Sequence, residues 1–363
     1  MNTVGNPHAI IWLSAQALMG VFDTLIVNGS WQNARTTAKG ISIPSFELVT
    51  PCHKATLNQK GISMSWTVLA LLGAAIISIA NISDKTVIHR YAKHPLTLPL
   101  LIGMGGTISG ITFFIIAGIP DGATIETSGA ALVSGAFWGF SGVIMTRVLF
   151  NQEVSRTIPV TQSSPIFAAL LSMVFLDEDI SRLQWGGIVF TVLGSILLSL
   201  RIRNVGTIFL DRSFYFLMLS ALTFAIGNII GKYVLDELPI LYTHGLRMLG
   251  LGGAFLIFSL RTASWTEVKE FYLSRSPALF FVGINEFITA NVALLLLLSA
   301  LSKGPAALVI ALMGTRSLFV FIYSTVITLI WQGSLGEQLS PKTVLVKVIS
   351  VAIIVAGIAA IAI

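Results

Sequence analysis

Three ionisable residues stand near the middle of long apolar runs: Arg247, Glu286 and Arg316. His244 precedes Arg247 by one helical turn and shares its face. A charge at the bilayer centre costs at least ~2.5 kcal/mol to insert, so it persists where it is paired or used. Two chemistries follow. An ion pair of Glu286 with Arg316 or Arg247 would only hold helices together. One carboxylate, however, cannot neutralise two guanidinium groups, and a residual positive charge suits an anionic ligand. Arginine offers a planar fork that donates two parallel bonds to a carboxylate or phosphate. The favoured ligand is a small carboxylate-bearing molecule of the amino-acid or organic-acid class. Glu286 is in addition a candidate carrier for a coupling proton.

Other chemistries are poorly served. Cys52 is the single cysteine, so no internal disulfide can form, and no paired Cys/His spacing marks a metal site. No glycine-rich nucleotide loop, zinc-binding helix or nucleophile elbow is present. A membrane enzyme would need a paired acid and base, and only Glu286 and His244 offer themselves. The expectation is therefore no catalysis, no cofactor and no metal.

The elements that must position these residues follow from composition. Apolar types make up 55% of the 363 residues and charged types 10%, against roughly 25% charged in a soluble domain. Mean hydropathy is +0.86. The net charge of +6 sits mostly between apolar runs, as topology signals rather than a nucleic-acid face. Ten runs long enough to cross a bilayer lie near 66–83, 95–119, 128–150, 157–176, 183–201, 213–235, 239–260, 277–301, 305–331 and 342–363. They do not alternate as barrel strands would, so they are predicted helices. Prolines at 120, 239, 277, 305 and 341 punctuate the connections, the longest being 261–276 and 332–341. The predicted class is an all-α integral membrane protein of ten transmembrane helices.

Further polar residues gather on these spans. Lys85 and Lys232 end the first and sixth spans, where they snorkel to the interface or line a gate or mouth. Asn81 and Asn228 lie one turn deeper and either bond between helices or line a cavity. Gln162, Ser163 and Ser164 precede Pro165 in the fourth span, where proline frees a carbonyl for them or for a ligand. Asn285, Thr289 and Asn291 add polarity to the eighth span, and Trp138 is read as packing. The small-residue pairs Gly106/Gly110, Gly135/Gly139 and Gly227/Gly231 allow close helix approach, read first as internal packing and second as a homodimer contact.

The chain also resembles itself. Asn81 and Lys85 recur as Asn228 and Lys232 at an offset of 147 residues. Glu178 and Glu337 each precede the last helix of a half, and Gly194 and Gly357 each lie within it. Two halves of five spans, 64–203 and 204–363, would enter the membrane from opposite sides as two inverted five-helix repeats. Residues 1–63 lack this pattern and read as a disordered or misassigned extension, with 10–27 as a doubtful eleventh span.

These features resemble the drug/metabolite transporter superfamily, in particular its EamA-type members. The motifs are Thr161-Gln162-Ser163-Ser164-Pro165, Leu176-Asp177-Glu178-Asp179, Trp185-Gly186-Gly187 and Leu193-Gly194, then Ser302-Lys303-Gly304-Pro305 and Leu335-Gly336-Glu337-Gln338. The ninth span departs from the pattern, with Arg316 near the place of the fourth-span proline. The resemblance implies carrier-mediated movement of small metabolites, usually export across the cell (plasma or inner) membrane and often coupled to protons. Nucleotide-sugar or lipid-linked sugar transport, or a non-transporting assembly role, are the alternatives. Lys and Arg counted by loop place both termini outside, whereas the resemblance implies cytoplasmic termini.

Overall fold

The computed structural model describes residues 64–151, 160–199, 212–330 and 341–363. The expectations for 1–63, for the 332–341 connection and for Glu337 lie outside the described residues. Every regular element among the described residues is helical. In chain order they are α1 (Trp66–Arg90), α2 (Thr97–Ala117), α3 (Ile125–Asn151), α4 (Ser164–Phe175), α5 (Arg182–Ser199), α6 (Arg212–Leu235), α7 (Ile240–Ser259), α8 (Thr262–Leu273), α9 (Pro277–Leu301), α10 (Ala306–Met313), α11 (Arg316–Ile330) and α12 (Pro341–Ala362).

Eight stretches are long and apolar enough to cross a membrane, and α4 and α5 are shorter apolar helices. This is a multi-pass membrane protein. Its surface is inside-out relative to a soluble domain. Ile115 and Ile116 are 72% and 66% exposed, while Ser78, Asn228, Thr243 and Asn291 are buried. Hydrocarbon rewards that arrangement, because buried polar groups find partners only inside the bundle.

Helix ends follow local chemistry. Ser276 caps α9 by accepting from the Ala278 amide, with Pro277 at the first turn. The carboxylate of Glu178 reaches from the α4–α5 connection to accept from Ala306 N (2.8 Å), capping α10. Lys232 Nζ donates to Leu301 O (2.6 Å) at the far end of α9. Gly122, with φ +95°, completes the Pro120–Ala123 turn that joins α2 to α3.

Three spans depart from unbroken helix. The fourth turns at Gln162-Ser163 before α4 resumes with Pro165. The ninth breaks at Gly314-Thr315, dividing α10 from α11. The eighth carries a π-helical turn over Asn285–Thr289. The 261–276 connection, expected as loop, contains α8. Glu267 anchors this helix by accepting from Lys93 N (2.6 Å), His94 N (3.0 Å) and Thr97 Oγ1 (2.5 Å). Val268 and Phe271 pack with Val87, Leu98 and Leu101, while Trp265 and Tyr272 stay exposed.

The bundle is assembled on glycine seams. α7 packs along α2 and α3, α6 along α3, α12 along α5, and α1 along α9. A methyl group at Gly194 would lie 2.9 Å from Ser350 O, and one at Gly357 2.9 Å from Gly187 O. Gly106, Gly110, Gly135, Gly139, Gly227 and Gly231 all face other helices of the same bundle, so the three sequence pairs serve internal packing.

Candidate functional site

Arg247 projects from α7 into the bundle and is 6% exposed. Its Nη2 donates to Asn228 Oδ1 on α6 (3.2 Å), and its Cζ lies 5.7 Å from the centroid of the Trp138 ring. Its Nη1 is buried without a hydrogen-bond partner, as is Trp138 Nε1. Gly231 makes room for the guanidinium, because a Cβ there would collide with Nη1. Trp138 stacks on Phe224 at 5.3 Å and 24°.

Two adjoining cavities meet at Trp138 and Leu294. The first is bordered by His244, Arg247 and Met248 of α7 and by Leu297 and Leu298 of α9. The second collects Ile77, Gln162, Ser164, Phe224, Met313 and Arg316 from four spans. Arg316 is the first residue of α11, so its side chain and the helix N-terminus lie at the same break. Gln162 Nε2 (2.9 Å) and Ser195 Oγ (3.3 Å) both donate to Gly314 O, and Ser78 Oγ donates to Arg316 O (2.9 Å). The Gly314 carbonyl left free at the α10–α11 break is thereby satisfied, and Arg316 borders the cavity.

His244 is buried against the edge of Phe113 (4.7 Å), and its Nε2 lies 2.9 Å from Asn291 Oδ1. Asn291 in turn donates to Ser109 Oγ (3.2 Å) and Glu286 O (2.6 Å), so its amide oxygen is the atom turned to the imidazole. His244 therefore borders the first cavity with its Nε2–H donated to Asn291 and its ring held in place.

The expected partner of Glu286 is corrected. Among the described residues no ion pair joins it to Arg247 or Arg316, and the one salt bridge is the exposed Lys93–Glu270 contact. Glu286 faces α2, where a Cβ on Gly105 would lie 2.8 Å from its own Cβ. Ala293, Leu294, Leu297 and Leu298, later on α9, face the cavities instead. Asn285 Nδ2 donates to Asp84 Oδ1 (2.8 Å) and to Glu286 Oε1 (3.5 Å), which ties the carboxyl to α1.

The structure thus places Arg247 and His244 at one cavity, with Asn228 bonded to Arg247 but lining neither, and Arg316 and Gln162 at the next. Asn81, Lys85, Lys232 and Glu286 border neither. Lys232 is a helix-end donor, Lys85 is exposed, and Asn81 is half-buried one turn before Asp84. Trp138, read as packing, both packs and lines. Asp84 falls just outside the predicted first span, 66–83, whereas α1 runs on to Arg90. The apolar continuation Thr86-Val87-Ile88 was the available signal. No three His, Cys, Asp or Glu side chains gather as a metal site among the described residues.

The fold and this cavity define a helical multi-pass membrane protein with cationic side chains at its centre. Residues 64–200 match the EamA-like transporter family, consistent with the drug/metabolite transporter superfamily. The "Uncharacterized transporter in cobO 3'region" of Sinorhizobium sp is 24% identical over 142 residues, which are 38% of this chain and 98% of that protein. A solved structure described as "Crystal structure of protein" superposes with a TM-score of 0.54 at 15% identity, covering 81% of this chain and 94% of that one. That likeness concerns the fold alone.

Proposed function

We propose that this protein is a secondary transporter that exports small carboxylate-bearing metabolites, such as amino acids or organic acids, across the plasma or inner membrane. The observation that carries this reading is the pair Arg247 and Arg316. Both border the central cavities, and neither has an ion-pair partner among the described residues. Arg247 Nη1 and Trp138 Nε1 present buried donors with no acceptor. A carboxylate would supply one, and Trp138 and Phe224 would cover its apolar part.

Alternating access between two inverted five-helix halves is the proposed mechanism. Its support is a reciprocity of contacts. A Cβ on Gly103 meets Leu256, and one on Gly252 meets Thr107; an offset of 149 residues exchanges the two contacts. Gly194 faces Ser350 and Ile354, while Gly357 faces Gly187 and Thr191; an offset of 163 residues exchanges these. Such exchange shows that each pair runs antiparallel, as an inverted arrangement of the halves requires. In the inverted arrangement the α2–α3 turn and the α8 connection lie on opposite sides. Single cysteines replacing Asp121 and Lys269, with Cys52 replaced by serine, are expected to label from opposite faces of the membrane. Labelling of both from one face would exclude the inverted arrangement.

Ligand class is tested by a thermal-stability screen of the purified full-length protein against amino acids, organic acids, nucleotide sugars and cationic drugs. A ligand at 100 times its Kd adds about 2.7 kcal/mol of stability. Carboxylate compounds are expected to stabilise the parent and to lose that effect in Arg316→Ala. Stabilisation by cations alone, or by nothing in the panel, would overturn the anion-site reading.

A further inference from the structure

A second polar cluster lies away from the arginine-lined cavities, where α1, α2 and α9 meet. Its members are Asp84, Asn285 and Glu286. Asn285 and Glu286 are 3% and 5% exposed, and Asp84 is half-buried on α1. The single Asn285 amide nitrogen serves both carboxyl groups, at 2.8 Å to Asp84 and 3.5 Å to Glu286. Its two hydrogens are then committed. The Asn285 carbonyl oxygen is buried and has no donor at all.

Counting donors against acceptors exposes a deficit. Two carboxyl groups and one amide oxygen need hydrogens, and one amide supplies both that are present. The neighbours do not make up the difference. α2 carries no charged residue, and its Ser109 Oγ is directed to the Glu286 backbone carbonyl (3.4 Å). Glu286 is the one charged residue of α9. On α1, Lys85 is exposed, and Arg90 lies six residues beyond Asp84 and is also exposed. His244 on α7 approaches only through Asn291. The missing hydrogen would complete the cluster: one O–H on either carboxyl donates to the other or to Asn285 Oδ1.

We propose that Asp84, Asn285 and Glu286 form a cation site, distinct from the arginine-lined cavities, that holds one exchangeable proton between the two carboxyl groups. The proton comes from water on one side, forms an O–H bond to a carboxyl oxygen, and returns to water on the other. No other bond forms or breaks. The placement gives this consequence. Asp84 belongs to the first half of the chain and Glu286 to the second, so an occupied site ties the halves together and an empty one sets two acceptors against each other. Binding that differs between two arrangements shifts their populations. The π-helical turn at Asn285–Thr289 presents Asn285 to α1 and Glu286 to α2, and such turns recur at functional sites. Close approach of Gly105 fixes the base of the Glu286 side chain, while its carboxyl group shares the Asn285 amide nitrogen with Asp84.

This inference rests on the transporter reading for its purpose, but its test needs no substrate. Infrared difference spectra of the full-length protein in lipid, recorded across a pH titration, read protonated carboxyl groups directly. The parent is expected to show one carboxyl titration whose midpoint moves by at least about one pH unit in both Asp84→Asn and Glu286→Gln, because neighbouring carboxyls perturb each other by that order. Glu178→Gln and Glu267→Gln leave it in place. Asn285→Ala retains both carboxyls and is expected to move the midpoint as well, so the test survives if one acidic variant does not fold. A midpoint identical in Asp84→Asn and the parent would overturn the shared proton. So would a carboxyl response to sodium at fixed pH with no proton titration, which would make this a metal-cation site. Either failure leaves the ligand screen untouched, and failure of the screen leaves this titration standing.

Discussion

Replacing Arg247 by glutamine is expected to lower carboxylate transport about 100-fold, from the loss of about 3 kcal/mol in charge-assisted hydrogen bonds. Folded protein is expected to stay within about twofold of the parent, since surrounding packing is kept and glutamine retains an amide donor for Asn228. Arg247→Lys keeps the charge but not the fork, and should fall between the two. The readout is counterflow in proteoliposomes of the compound that stabilises the parent in the screen, alongside the yield of monodisperse protein. If yield falls in step with transport, the guanidinium is a strut between α6 and α7, held by Asn228. The anion-site assignment would then fail at Arg247.

The second large effect concerns the seam between α3 and α7. A side chain at Gly135 would drive into the backbone carbonyl of Arg247, and one at Gly250 into the carbonyl of Leu132. The two helices touch backbone to backbone, and rigid main chain cannot yield as a flexible side chain can. Gly135→Val is therefore expected to remove nearly all folded protein, a cost above the 1–3 kcal/mol typical of overpacking, so roughly 3 kcal/mol or more. Gly253, on the same helix, has open space where its Cβ would stand, so Gly253→Ala should stay near the parental level. Size-exclusion profiles of the solubilised variants check both. A Gly135→Val protein that elutes at parental yield would mean the seam is not as close as described.

Both predictions depend on facts of different legibility. That Arg247 and His244 share a helix face follows from their spacing alone, because α-helical periodicity is local. Close approach at Gly135/Gly139 and Gly227/Gly231 was likewise readable, because small residues four apart leave a groove whatever fills it. That α3 and α7 fill each other's grooves was not, since the seam joins residues more than a hundred positions apart in the chain.

Glu286 shows where the reading ran out. Its mid-span position marks it as paired or used, and charge alone points to the arginines as partners. The π-helical turn of α9 instead sets Glu286 against α2 and joins its carboxyl to Asp84 through the Asn285 amide. Backbone register of that kind depends on neighbouring helices and has no counterpart in residue types. The breaks at Gln162-Ser163 and Gly314-Thr315 were half-legible: Pro165 announced the first, but nothing comparable announced the second.

Composition, run length and short motifs by themselves determined that this is a multi-pass helical membrane protein, with an EamA-like segment and arginines held at mid-membrane. Those properties are averages over contiguous residues, and hydrocarbon imposes them segment by segment. Only the tertiary structure decided which buried groups meet: Arg247 with Asn228 and Trp138, Arg316 with the α10–α11 break, and Glu286 with Asn285, which joins it to Asp84, rather than with an arginine. Partner choice turns on helix rotation and on a few ångströms of approach across the bundle, and these are set by packing among residues distant in the chain.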